Sequence, residues 1–231
     1  MQKNSFIDYP EKISCVLFCQ GCNFHCPYCH NPELVPMQKK GEQSGISEKE
    51  VLDFLQSRRK MLDGVVISGG EPCLQTDLPD FCKKIKEMGF PLKIDSNGSR
   101  PEVLRSLLEK GLADYIAMDI KSDLRHYAPL IRKNTGESFS EKIRSSIRLI
   151  MESGLPYEFR STCIRPLLSE KILMNICELI RGAELYALQQ FQPDKVLHPE
   201  FFEGKDYIFS AAELEKFRET AEKNVRQCIV R

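Results

Sequence analysis

No charge of either sign is in excess in this 231-residue chain: Lys plus Arg and Asp plus Glu each number 33. A protein that holds nucleic acid or an anionic membrane by bulk charge needs a surplus of cations, so neither class is expected. The first ten residues, Met1 to Pro10, lack the apolar stretch of a secretory signal. Nowhere do the roughly 20 apolar residues of a membrane-spanning helix occur in sequence. Without an export signal, ten cysteines imply reduced thiols and metal rather than disulfides, and the expected location is cytoplasmic. What remains is a globular chain, 42% hydrophobic and 29% charged, long enough for one large domain or two small ones.

One further absence shapes the functional reading. The stretch from Gln20 to Asn31 carries Cys22, Cys26 and Cys29 at Cys-x3-Cys-x2-Cys spacing, with no fourth cysteine. Three soft thiolates in a short loop suit an iron–sulfur cluster or zinc. A four-iron cubane on three thiolates leaves one iron open, and an open metal position is a place for chemistry. Cys26-Pro27-Tyr28-Cys29 also has the dithiol spacing of thioredoxin-like oxidoreductases. Those dithiols open a helix, whereas Asn31-Pro32 disfavours helix at this place. A Cys3His zinc site using His25 or His30 stays open.

Cys15, Cys19 and Cys22 repeat the same spacing. The run Ile13 to Cys19 reads as a buried strand, in which Cys15 and Cys19 stand roughly 13 Å apart. That is too far for one compact cluster, so this register is rejected and a single cluster is expected.

The rest of the chain alternates. Apolar strands are predicted at 13–19, 65–67, 92–94, 115–118, 157–163 and 185–188, each followed by a helical stripe. Ser47-Glu48-Lys49-Glu50 has the capping-box pattern, and Ser210 to Glu213 caps a terminal helix. Six such βα units argue for an α/β fold with a parallel sheet. No composition break marks a boundary, so residues 1–231 are read as one domain. Its core runs from about 13 to 193, and a loop and helix fill 194–231. Each polar cluster follows a strand and precedes its helix: Cys22–Cys29, Gly69–Glu71, Asp95–Asn97, Asp119–Lys121, Arg160–Thr162 and Gln189–Gln190. Those are C-terminal strand ends, where α/β folds build ligand sites.

A strand followed by Cys-x3-Cys-x-aromatic-Cys, then a strand ending in Gly69-Gly70-Glu71-Pro72, resembles the radical S-adenosylmethionine (SAM) superfamily. Ile7-Asp8-Tyr9-Pro10, Cys26 to Leu34 and Gln189-Gln190-Phe191 resemble, within it, the activating proteins of anaerobic ribonucleoside-triphosphate reductase. Pyruvate formate-lyase activating enzyme is their near relative. The resemblance implies a partial (β/α)6 TIM-like barrel of parallel strands. It implies a [4Fe–4S] cluster on Cys22, Cys26 and Cys29, with SAM on the open iron. Gly69, Gly70 and Glu71 would surround the SAM amino group, and Tyr28 would lie by the adenine. Asp95, Ser96 and Asn97 match a segment that lies near SAM and can supply a cation ligand. Lys121 and Arg160 are implied contacts for its carboxylate or ribose, and Gln189 or Gln190 for its adenine.

The chemistry implied is reductive cleavage of SAM to a 5′-deoxyadenosyl radical, which takes a glycine hydrogen from a glycyl radical enzyme. A one-electron donor such as flavodoxin or ferredoxin is then required, and no side chain is needed as general acid or base. The partner expected is anaerobic ribonucleotide reductase. Alternatives are activation of a formate-lyase-type enzyme, a small-molecule radical reaction, or, in a different class, a zinc-binding Cys3His structural module. Plainer readings apply elsewhere: Cys15, Cys82, Cys163 and Cys177 as core residues, Cys73 as a packed thiol, His25, His126 and His198 as surface or loop residues, and the aromatics of 192–209 as packing.

Overall fold

A computed structural model describes residues 1–37, 45–131, 138–165, 167–204 and 206–231. The predicted loops 31–46 and 122–136 therefore lie partly outside the described residues. The chain begins with strand β1 (Gln2–Ser5) and strand β2 (Ser14–Cys19), and the cysteine loop follows. Then come α1 (Glu48–Ser57), β3 (Gly64–Gly69), α2 (Leu78–Glu87), β4 (Leu92–Ser96), α3 (Pro101–Glu109) and β5 (Tyr115–Asp119). The second half adds α4 (Ser138–Met151), β6 (Tyr157–Cys163), α5 (Glu170–Leu179), β7 (Tyr186–Gln190), α6 (Ala211–Ala221) and β8 (Cys228–Val230).

All eight strands form one sheet in chain order, β1 to β8. Among the strands of the described residues, β1 pairs antiparallel with β2, and β2 to β8 run parallel. This is the partial barrel of TIM type, six βα units with an added strand at each edge. The capping boxes at Ser47–Glu50 and Ser210–Glu213 both form.

Two strands escaped the sequence. β1 reads Gln-Lys-Asn-Ser, with three exposed residues and no apolar period to betray it. β8 has three residues, too few to show alternation. The segment 194–231 thus contributes a strand as well as a loop and helix.

Alternation sorts the side chains between two interiors. On β3, Val65 and Ile67 pack outward into the large core beneath the helices, while Val66 joins a small inner cluster with Tyr9, Val16, Tyr115 and Ala117. The register aligns Val66, Lys93 and Tyr115 across three strands, so Lys93 is turned inward too, with 1% of its surface exposed. A buried ammonium needs a partner, and it starts a ladder. Lys93 Nζ lies 2.6 Å from Asp95 Oδ1, and Arg160 Nη1 lies 3.4 Å from Asp95 Oδ2. Arg160 Nε donates to Asp119 Oδ1 at 2.9 Å, and Lys121 Nζ donates to Asp119 Oδ2 at 2.9 Å. Behind Arg160, Glu158 is 3.9 Å away, held in turn by Arg231 at 2.8 Å.

Burial alone would raise Asp95 and Asp119; the Arg160 guanidinium, with Lys93 beside the first and Lys121 beside the second, holds both below the usual carboxylate range. Carboxylates depressed in this way contribute stability above their unfolded value, 3.8, and lose it as the pH falls through their folded values. Arg160→Met is expected to destabilise the fold by about 3–5 kcal/mol at pH 7, because two carboxylates are left buried without their shared cation. The gap from wild type should narrow below pH 3.8, measured by urea unfolding at pH 7 and at lower pH. A gap that widens on acidification would show that the carboxylates are not what Arg160 stabilises.

Candidate active site

The cysteine loop is held by its own backbone and by a second turn laid against it. Gly21 N–H donates to Leu34 O at 2.8 Å, Cys22 N–H to Val35 O at 3.2 Å, and Cys29 N–H to Cys26 O at 3.0 Å. Phe24 anchors the loop in the core, its ring 6.1 Å from that of Tyr127 and 5.6 Å from that of Phe139. The first helical turn after Cys29 is a three-residue 3-10 turn at Pro32–Leu34, as Asn31-Pro32 foretold.

Cys22, Cys26 and Cys29 share the wall of one cavity of about 190 Å³. Burial pushes the Cys22 thiol up to about 11 and the Cys26 thiol up to about 12. A dithiol oxidoreductase needs the opposite, a thiol activated at a helix N-terminus; the Cys26 thiol is raised instead, and a three-residue turn follows where that helix would stand. No three His, Cys, Asp or Glu side chains among the described residues converge closely enough to hold a single metal ion. A cubane distributes its thiolates over separate irons, and three soft donors around a cavity fit that group. His25 is engaged elsewhere, its Nε2 2.7 Å from Nε2 of His198. His30 lines the cavity and packs against Phe191 at 5.7 Å.

The facing wall comes from the ends of four strands: Ser68 to Glu71 at the end of β3, Asp95 to Asn97 at β4, Asp119 and Lys121 at β5, and Thr162 on β6. Tyr28 lines the cavity as well, with the Lys121 ammonium 5.9 Å from its ring centroid. Burial works against the Lys121 charge, but the Asp119 carboxylate beside it raises its pKa above the ordinary value, so it stays a cation.

The paired glycines prove to be a packing requirement. A Cβ on Gly69 would lie 2.3 Å from Cys19 N, and one on Gly70 would lie 2.2 Å from Gly21 O. Gly69 also has φ +118, which other residues rarely adopt. This contact lets Gly70 N–H donate to Cys19 O and Glu71 N–H to Gly21 O, each at 2.9 Å. The motif therefore knits the end of β3 to the start of the cysteine loop.

Glu71 is 1% exposed. Its carboxylate accepts from Asn97 N–H at 2.7 Å, Ser96 Oγ at 2.8 Å and Cys73 N–H at 3.0 Å. Burial raises its pKa, and those three donors oppose the shift. Glu71 thus braces the β4 turn from within the cavity wall.

Arg160 and Gln189 are not among the residues lining the cavity. Arg160 is committed to the carboxylates beneath it, and Gln189 stands in register with Thr162, which does line the cavity. Asp95, read as part of a possible cation-ligand segment, has both oxygens facing protein cations. Lys93 was missed altogether. The signal was present: Leu92-Lys93-Ile94-Asp95 alternates, so Lys93 and Asp95 share a face opposite the apolar pair.

The profile of the radical SAM superfamily matches residues 16–172. The chain belongs to that superfamily. Its cofactors are a [4Fe–4S] cluster and SAM, and this radical SAM chain is an enzyme. It is 38% identical over 202 residues to a Methanocaldococcus jannaschii protein named as a glycyl-radical enzyme activating enzyme, covering 85% of this chain and 80% of the relative. It is 35% identical over 119 residues to the pyruvate formate-lyase-activating enzyme of Listeria monocytogenes, 47% of each chain. The chain thus spans about half the length of that second relative. Among solved structures it is similar in fold to a radical SAM methyltransferase from Sphaerobacter thermophilus, with a TM-score of 0.74 and 16% identity over 99% of this chain and 68% of the other. Streptococcus suis SuiB bound to S-adenosylmethionine gives a TM-score of 0.66 at 14% identity, over 94% and 50%.

Gly70→Ala is expected to cost about 3 kcal/mol or more, since its methyl meets backbone that cannot turn aside. Gly111→Ala, with positive φ but open space around it, should cost only about 1 kcal/mol. Equal losses in urea unfolding would mean that the Gly70–Gly21 contact relaxes at no cost.

Proposed function

We propose that this radical SAM enzyme installs the glycyl radical on an oxygen-sensitive partner enzyme, with anaerobic ribonucleoside-triphosphate reductase as the favoured partner. The observation that carries the reading is the near full-length match to a relative named for glycyl-radical enzyme activation, 85% of this chain against 80% of that one. The phrases around Ile7 to Pro10, Cys26 to Leu34 and Gln189 to Phe191 favour the reductase as partner. The 35% match to a pyruvate formate-lyase-activating enzyme favours the second reading, a formate-lyase-type partner.

The residues have separable parts in this scheme. Cys22, Cys26 and Cys29 would hold the cluster, and the strand-end wall would orient SAM: backbone at Gly69 and Gly70 toward its amino group, Lys121 toward its carboxylate, Tyr28 toward its adenine. When bound, cluster and SAM together supply one-electron cleavage of a sulfur–carbon bond and the hydrogen abstraction that follows. The chain's contribution is to bind, orient and exclude water. A reductant such as flavodoxin or ferredoxin completes the system.

The four oxygens of Asp95 and Asp119 each face a protein cation at 3.4 Å or less. We therefore expect SAM affinity to be the same in sodium, potassium and a bulky organic cation at equal ionic strength. A tenfold or greater loss in the organic cation would show that an alkali ion enters the site after all. For the main reading, the protein is reconstituted anaerobically with iron and sulfide, reduced with dithionite and given SAM. Methionine and 5′-deoxyadenosine should form, and fail to form in Cys22→Ala. Incubation with each candidate partner, read as a glycyl radical signal by electron paramagnetic resonance (EPR), then separates the two partners. Tight zinc binding without SAM cleavage would overturn the scheme in favour of a structural metal module.

A further inference from the structure

The cysteine loop is tied to the sheet at a second point, by side chains that the function described so far does not use. Asn97 Nδ2 donates to Asn23 Oδ1 at 2.9 Å, Asn23 Nδ2 donates to Ser99 Oγ at 2.9 Å, and Ser99 N–H donates to Asn97 Oδ1 at 3.0 Å. These three bonds close a ring. Asn97 and Ser99 are buried, and Asn23 is partly so. Each amide has only one orientation that satisfies the ring, because reversing Asn23 would set its NH2 against that of Asn97.

The ring sits where it can act. Asn23 directly follows Cys22, and Asn97 forms part of the facing wall of the cavity. Before Cys22 the loop is held by Glu71 N–H on Gly21 O; after it, by Asn97 on Asn23. Both ties reach the same β4 turn, since Glu71 accepts from Ser96 Oγ and Asn97 N–H. That turn is itself pinned to α4 by Ser146 Oγ donating to Gly98 O at 2.7 Å. Cys22 is thus suspended between two hydrogen-bonded struts that share one footing.

We infer that Asn23 and Asn97 are positioning residues: their amide bridge sets the place of Cys22, and of whatever Cys22 ligates, relative to the strand-end wall that faces it. Neither touches the thiol chemistry itself, as Asn23 offers its side chain to the β4 turn and not to the loop. The inference rests on the reading of Cys22, Cys26 and Cys29 as cluster ligands. Displacement of reacting groups by about 1 Å can cost a hundredfold in rate, so a bridge of this kind matters more for turnover than for folding.

The bridge is polar in one direction, and that gives a test. Asn23 is its acceptor and Asn97 its donor. Asn23→Asp keeps an acceptor for Asn97 Nδ2, and the Ser99 hydroxyl can rotate to donate to the new carboxylate. Asn23→Leu, with the same branching and nearly the same volume, removes both the acceptor for Asn97 Nδ2 and the donor to Ser99 Oγ and breaks the bridge. Both substitutions change Asn23, which is not among the residues lining the cavity, and both keep the branching of its side chain, so the cavity wall keeps its own residues.

Both variants are reconstituted beside wild type, and iron content, SAM cleavage and the SAM-induced change in the EPR spectrum of the reduced cluster are recorded. Amide hydrogen exchange across residues 21–24 is followed in the cluster-free proteins. Asn23→Leu is expected to load iron as wild type does, to lose at least about tenfold in SAM cleavage, and to show a weakened spectral change and faster exchange at 21–24. Asn23→Asp should stay within about threefold of wild type in cleavage and match it in the other three readouts.

Equal behaviour of the two variants, whether both wild-type or both impaired, would overturn the inference. So would loss of iron from Asn23→Leu, because the bridge would then serve loop folding. If wild type itself fails to cleave SAM, the cluster reading falls instead, and the exchange data still report whether the bridge holds the loop.

Discussion

Everything at the site hangs on one close approach, the backbone of Gly69 and Gly70 against the backbone of Cys19 and Gly21. At 2.9 Å the two segments exchange hydrogen bonds that no side chain could mediate, and a methyl group on either glycine would enter occupied space. The contact welds the cysteine loop to the end of β3. From there Glu71 extends the weld one strand further, its carboxylate gathering the donors of the Ser96–Asn97 turn. A buried carboxylate with three donors is well satisfied, and in this position it transmits the geometry of the sheet to the loop.

The barrel interior answers a different physical demand. Its floor holds a small apolar cluster around Tyr9, Val66 and Tyr115, and above it lies a ladder of alternating charge from Lys93 through Arg160 to Lys121. Ion pairs in such a setting rarely add net stability over an apolar filling. Their value here lies in fixing which groups reach the cavity. Arg160 neutralises the carboxylates from below, leaving Lys121 at the cavity wall as a cation beside Tyr28. The side chains that meet the cavity are thus selected by a network most of which lies out of its reach.

Residues 191–204 and 206–209 lie along the outer side of the cysteine loop. His198 N–H donates to Pro27 O at 3.0 Å, Lys195 pairs with Glu33 at 2.7 Å, and Phe191, Phe202 and Tyr207 stack into one another. The buried rings Phe202 and Phe209 belong to the main core, so the aromatics of this segment are packing. Among the described residues no helix is long and apolar enough to cross a membrane.

The six βα units were legible in the chain because period-2 and period-3.6 patterns, capping boxes and terminal glycines are local signals. The cysteine spacing and Gly69-Gly70-Glu71-Pro72 were legible for the same reason, each being a short run of neighbours. Arg160 was read as a SAM contact, and a strand-end arginine looks alike whether it meets a ligand or a carboxylate on the next strand. Only the register of β4, β5 and β6 places it over Asp95 and Asp119. Asn23, Asn97 and Ser99 were invisible as a unit, since 74 residues separate the two asparagines and nothing local marks them. The sequence by itself determined the six βα units, their order and the cysteine spacing, because these depend on nearest neighbours along the chain. Tertiary structure decided which polar groups face the cavity and which are spent holding it, because hydrogen bonds and ion pairs are settled between strands.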